Sequence, residues 1–227
     1  LPAESEQSAV AAALTDVGVP VTYEVVVDEV EAGSPSDGVL LSGDTLLEID
    51  GTPVPDYRSV KRVMTDVEPG DEVSVTVRRD EAEVTETVVT GTNPDAPDRA
   101  YLGVLLGIGF SSPVDVELNL GNVGGPSAGL IFSLAIVDSL TPGALTDGRD
   151  IAGTGTITQE GRVGPIGGIV QKMYGASDEG AEVFLAPRAN CSEVSGHIPE
   201  GLDVIAVRTL EQAVQALEGD IPVPRCP

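Results

Sequence analysis

Ser127 stands in the run Gly125-Pro126-Ser127-Ala128-Gly129, and the residues that follow, Leu130 to Leu140, are apolar nearly all round. That pattern predicts a buried helix with a serine at its glycine-flanked start. The first N–H groups of a helix have no partner inside it, so those beside Ser127, Ala128's above all, can hold the negative oxygen that develops when a hydroxyl attacks a carbonyl. Serine is also a common helix cap, and that plainer role stays open for Ser127. A second group is Lys172, one of only two lysines with Lys61, which follows the nearly uncharged stretch Gly164 to Gln171. An amine accepts a proton only when neutral, and an ordinary lysine holds its proton until about pH 10.4, so a lysine base is expected in a desolvated place. A solvated lysine on a helix surface is the alternative. Third, Ile151-Ala-Gly-Thr-Gly-Thr-Ile157 is a small-residue strand that offers the hydroxyls of Thr154 and Thr156; it reads equally as a buried glycine-rich strand. Together a serine nucleophile and a lysine base would cleave acyl bonds with no metal or organic cofactor.

Gly125-x-Ser127-x-Gly129 also fits the nucleophile elbow of Ser-His-Asp esterases. That mechanism needs a histidine, and the one histidine, His197, lies in the turn-rich stretch Ser195 to Gly201, which predicts an exposed loop.

The elements that must position these residues fall on either side of a turn-rich stretch at 91–99, which reads as a linker. Before it, residues 4–14 form an alanine-rich helix and Val21 to Val27 a strand. Val30 to Val54 holds short apolar runs broken by tight turns. Asp56 caps a helix carrying Val60, Val63 and Met64 inward, and Val73, Val75 and Val77 alternate as a half-buried strand. The chain has 227 residues, 12 Lys+Arg against 37 Asp+Glu and a net charge of −25. A surface that acidic repels phosphate backbones and anionic lipid, which excludes nucleic-acid binding. Cys191 and Cys226 lack the ligand spacing of a metal site and are either free thiols or one bridge.

The stretch 16–90 resembles a PDZ domain through its Gly33-Ser34-Pro35 turn, Gly43-Asp44, the Ile49-Asp50-Gly51 turn, its single helix and its final valine-alternating strand. The resemblance implies a peptide-carboxylate loop at Val17-Gly18-Val19, although Pro20 removes one backbone donor there. Tyr101-Leu102-Gly103-Val104 also looks like such a loop, but its place after the strands assigns it to the opening of the next domain. Residues 121–195 resemble the proteolytic domain of the Lon family: Gly125 to Gly129 match its serine motif, Pro165-Ile166-Gly167-Gly168-x-x-x-Lys172 its lysine motif, Thr154 to Ile157 the segment whose threonine bonds the lysine, and Phe184-Leu185-Ala186-Pro187-x-x-Asn190 a further motif. Gly124 and Thr156 replace an aspartate and a glutamate of the family pattern. No Gly-x-x-x-x-Gly-Lys-Ser/Thr motif for ATP occurs.

The resemblance implies an α+β chain: residues 1–15 a helix or remnant of an upstream region, 16–90 a small β-rich PDZ-like domain, 91–99 a linker, and 100–227 a Lon-type α+β proteolytic domain. It implies an ATP-independent serine endopeptidase with a Ser127–Lys172 dyad supported by Thr154. Its partners would be protein or peptide substrates recruited or gated by the PDZ-like domain, and a homo-oligomer is compatible with it. A non-catalytic adaptor is the alternative that the changes at Gly124 and Thr156 keep open. The arrangement resembles membrane-anchored bacterial proteins whose anchor precedes the PDZ domain and whose catalytic part faces outward. The chain begins without Met, and such an anchor would lie upstream. In that setting Cys191 and Cys226 are expected to form a disulfide.

Overall fold

The computed structural model describes residues 4–117, 125–219 and 221–226. The chain opens with helix α1 (Glu4–Asp16). Its alanines favour the helical backbone, and their small size lets a neighbour approach closely. Ala9, Ala11, Ala12, Ala13 and Leu14 are all buried. The helix ends in a Schellman motif: Gly18, with φ 77°, sends its N–H to Thr15 O at 3.1 Å, and Val19 N–H reaches Leu14 O at 2.9 Å.

By its contacts the chain forms two compact units, and they differ from the expected boundaries. One comprises residues 22–111; the other comprises residues 2–21 together with 112–227. The β-rich unit is thus inserted into the other, and α1 belongs to the unit that carries Ser127.

The inserted unit is an antiparallel sheet built from β1 (Thr22–Val30), β2 (Thr45–Ile49), β3 (Thr52–Pro53), β4 (Glu72–Arg79), β5 (Ala82–Val89) and β8 (Val104–Ser111). Its order is β5-β4-β2-β1-β8, with β3 beside β2. Helix α2 (Tyr57–Thr65) is capped by Asp56, whose carboxylate accepts the Ser59 N–H at 2.7 Å. Val60 on α2, Val73, Val75 and Val77 on β4, and Leu46 and Ile49 on β2 share one apolar core.

The expected linker is instead mostly a hairpin, β6 (Gly91–Asn93) with β7 (Ala96–Tyr101). Asn93 Oδ1 accepts the N–H groups of Asp95 and Ala96 and so makes the turn that its composition signals. The strand after it, β8, pairs with β1 from Thr22↔Ser111 to Val30↔Val104. Residues assigned in sequence to the start of the second domain therefore complete the first.

A buried ion pair ties this sheet together. The Asp44 carboxylate, 1% exposed, accepts Arg79 Nε at 2.8 Å, Arg79 Nη2 at 2.7 Å and the Leu41 N–H at 2.8 Å. Burial by itself raises the pKa of Asp44, but the Arg79 hydrogen bonds, the Leu41 amide and the Arg79 charge outweigh it and hold the carboxyl below its ordinary value. A depressed carboxylate stabilises the fold above its unfolded pKa, and that contribution is lost as pH falls through the folded value. Arg79→Ala strands the buried carboxylate and is expected to cost the unit on the order of 3 kcal/mol at neutral pH. Because protonation of Asp44 relieves the stranded charge, the gap from wild type should narrow in acid. Denaturant midpoints of both chains across pH check this; a gap that widens in acid contradicts it.

The second unit is built from helices α3 (Gly129–Leu140), α4 (Ile169–Asp178), α5 (Cys191–Val194) and α6 (Leu210–Glu218), with strands β9 (Ile151–Gly153), β10 (Thr156–Ile157), β11 (Val163–Gly164), β12 (Val183–Pro187) and β13 (Asp203–Val207). The parallel sheet β13-β12-β9 lies at its centre, and β12, wholly buried, reads as a continuous apolar run for that reason. Ile169 and Met173 of α4 pack against Phe184, Ala186, Val194, Leu202 and Val204. Helix α3 packs on α1, where Ser133 Oγ donates to Ala9 O at 3.0 Å. The chain's end returns to this body: Cys226 is disulfide-bonded to Cys191, and Ala206 N–H on β13 reaches Pro224 O at 2.9 Å. Closing a loop of that length stabilises by up to about 4 kcal/mol in the chain-entropy account.

Candidate active site

Ser127 sits in a 3-10 turn, Pro126–Ala128, that runs straight into α3. Gly125 before it has φ 92°, a conformation that a side chain would strain, and Pro126 has no N–H to leave unpaired at the first turn. The carbonyl of Ser127 receives two hydrogen bonds, from the Thr154 hydroxyl at 2.8 Å and the Gly155 N–H at 2.8 Å. Leu130 N–H answers with a bond to Gly155 O at 3.1 Å. The small-residue segment after β9 is therefore laced to the serine turn. Glycines make the approach feasible: a methyl group at Gly129 would come within 2.8 Å of Ile157 Cγ2, and one at Gly153 within 2.8 Å of Leu185 Cβ.

Lys172 lies in the first turn of α4, where Ile169 and Met173 take the buried face. Its Nζ reaches across to Ser127 Oγ at 3.1 Å, so residues 45 positions apart meet within hydrogen-bond distance. Ser127 is half-buried and Lys172 is exposed, in contrast to the desolvated lysine expected from sequence. Thr154 is buried, and its hydroxyl serves the Ser127 carbonyl, whereas the family pattern has it bond the lysine amine. The Ala128 N–H, the expected oxyanion donor, is engaged by Gly125 O across a long 3.3 Å bond. His197 is exposed, with Nδ1 3.1 Å from Glu193 O. The esterase alternative thus loses its base, since the partner placed on the serine is a lysine. Gly124 lies outside the described residues.

The candidate peptide loop, Val17 to Val19, does not lie in the inserted unit. Val17, Gly18 and Val19 all donate their N–H groups to carbonyls of α1, so none of the three is available to a peptide carboxylate. They cap a helix of the other unit. The signal was present in the sequence, as a glycine after an alanine-rich helix followed by proline marks a helix C-terminus. Tyr101 to Val104, by contrast, lead into β8, the last strand of the sheet. Gly103, with φ 78°, fits against Ser34, and its carbonyl accepts the Glu31 N–H at 2.9 Å and the Ser34 hydroxyl at 3.1 Å. Leu105 on this strand is 60% exposed.

Comparison with known proteins agrees with both halves of this description. Residues 11–90 match the PDZ domain family, a span that begins inside α1 and stops before β6 to β8. Residues 114–218 match the Lon protease (S16) C-terminal proteolytic domain. Lon protease 1 of Bacillus subtilis is 37% identical over 100 residues, 42% of this chain and 13% of that protein. The Lon protease of Buchnera aphidicola subsp. Schizaphis graminum is 40% identical over 98 residues, 41% of this chain and 12% of its own. The matched stretch is thus a small part of those relatives. A crystal structure of the PDZ domain of an SdrC-like protein from Listeria monocytogenes aligns with 37% of this chain and 86% of that one, at 20% identity and a TM-score of 0.34. One polypeptide thus carries a stretch similar to the PDZ domain family, residues 11–90, and a stretch similar to the Lon protease (S16) C-terminal proteolytic domain, residues 114–218.

Proposed function

We propose that this chain is a serine endopeptidase in which Ser127 is the nucleophile and Lys172 its general base. The observation that carries the reading is the 3.1 Å approach of Lys172 Nζ to Ser127 Oγ, at a helix start in a domain of the Lon proteolytic family. Ser127 Oγ attacks the scissile carbonyl and passes its proton to the neutral amine. The carbonyl oxygen becomes an oxyanion, toward which the weakly engaged Ala128 N–H turns. The ammonium then protonates the leaving amine as the C–N bond breaks, leaving an ester on Ser127. Water, deprotonated by the same amine, hydrolyses that ester and restores the hydroxyl. Lys172 is exposed in the free chain, and a substrate backbone lying over it excludes water from the dyad.

Cleavage by the dyad itself needs no ATP, since Ser127 supplies the nucleophile and Lys172 the base. The PDZ domain recruits or gates protein substrates. The enzyme works outside the cytoplasm on an anchor upstream of residue 1, a placement supported by the Cys191–Cys226 disulfide. A labelled unfolded protein such as casein, incubated with the chain and no nucleotide, is expected to be cut, and a fluorophosphonate probe to label Ser127 and block the cut. Cleavage that requires ATP, or continues with the serine fully labelled, contradicts the proposal.

A further inference from the structure

Between β11 and α4 the chain passes through Pro165-Ile166-Gly167-Gly168, and Lys172 follows within one helical turn, its N–H bonded to Gly168 O at 3.2 Å. Gly168 is left-handed, with φ 70°, and no cap side chain bonds the start of α4. Two adjacent glycines leave this approach with more backbone freedom than any other pair of residues would. One side chain removes that freedom. Asn190, 2% exposed at the end of the 3-10 turn Arg188–Asn190, accepts the Ile166 N–H on Oδ1 at 3.0 Å and donates Nδ2 to Ile166 O at 2.9 Å. Its second Nδ2 hydrogen goes to Glu193 Oε1 at 2.7 Å. Both polar groups of one residue are thus held by a single amide whose own capacity is well used, and the clamp grips just ahead of the glycines. Cys191, next in sequence, is fixed in turn by its disulfide to Cys226.

We infer that Asn190 is a positioning residue for Lys172, holding the start of α4 so that the amine stays on Ser127 Oγ. The inference rests on the dyad proposed above. Neither an aspartate nor an aliphatic residue can do this: aspartate accepts from Ile166 N–H but has no hydrogen for Ile166 O and would face the Glu193 carboxylate, and alanine does neither.

The test compares wild type with Asn190→Ala, Asn190→Asp and a control, Val204→Ala, which removes apolar bulk from the same core on β13 without touching the clamp. Amide hydrogen exchange over residues 163–172 is expected to quicken in both Asn190 variants and to stay at the wild-type rate in the control. On a short peptide substrate kcat is expected to fall on the order of 10- to 100-fold in Asn190→Ala with KM little changed, as for a displaced catalytic group. Asn190→Asp should fall less in the same direction, and it carries the test if Asn190→Ala does not fold. Unchanged exchange at 163–172, or a kcat loss matched by Val204→Ala at equal thermal stability, overturns the positioning role. A wild-type chain that cleaves nothing would overturn the proteolytic reading instead, and the exchange comparison, which needs no substrate, still decides the clamp.

Discussion

Lys172→Arg will stop cleavage as completely as Lys172→Ala or Ser127→Ala. Arginine keeps the positive charge and can still reach the serine hydroxyl, so any role resting on charge or a hydrogen bond to Oγ would survive the change. Base catalysis would not, because a guanidinium does not give up its proton near neutral pH. The loss is expected to be on the order of 10,000-fold in kcat, and the Ser127→Ala/Lys172→Ala double variant should be no worse than either single one, since the two groups act as a unit. His197→Ala should leave the rate as it is, because that ring is exposed and lies against the Glu193 carbonyl. Steady-state rates on one labelled peptide, with folding of each variant checked by circular dichroism, decide the matter. Substantial turnover by Lys172→Arg removes the lysine as base; inactive His197→Ala beside active Lys172→Ala would return the serine to a histidine mechanism.

Removing the residues ahead of the PDZ-like unit will unfold the unit that carries Ser127, although they lie more than a hundred positions from it. Helix α1 buries Ala9, Ala11, Ala12, Ala13 and Leu14, and its Ala9 carbonyl accepts the Ser133 hydroxyl of α3, the helix that follows the Ser127 turn. Exposing those side chains and the apolar face they cover costs about 5 kcal/mol or more by area, which rivals the whole stability of a typical domain. A fragment starting at Arg99 is therefore expected to be unfolded or aggregated and unreactive. Excising the PDZ unit is expected to be tolerated. Thr22 and Ser111 are paired across β1 and β8, so a short glycine link from residue 21 to residue 112 spans the gap. That chain should fold and cleave short peptides while handling protein substrates differently. A cooperative thermal transition and normal peptide turnover from the fragment starting at Arg99 would refute the role given to α1.

How far the sequence alone reaches is visible in these same residues. The turn holding Ser127, the cap at Asp56 and the inward alternation of Val73, Val75 and Val77 were legible because each depends on neighbours within a few positions: a glycine that permits a conformation, a carboxylate beside free N–H groups, a period of two. The order of the serine, threonine and lysine motifs carried the resemblance to the Lon family, and with it the expectation that Ser127 and Lys172 meet. What the sequence left undecided is which distant surface each element covers. An alanine-rich helix pattern says that α1 can be buried but not that α3 buries it, since apolar burial has no direction. The apolar strand β8 could open a second domain or close the first, and only its pairing with β1 decides between them. That pairing moved the Tyr101–Val104 loop into the PDZ unit, while the Schellman cap gave Val17 to Val19 to the other. The exposure of Lys172 and the turning of the Thr154 hydroxyl onto the Ser127 carbonyl were likewise settled in three dimensions, where the nearest acceptor and the nearest water are set by packing and not by spacing along the chain.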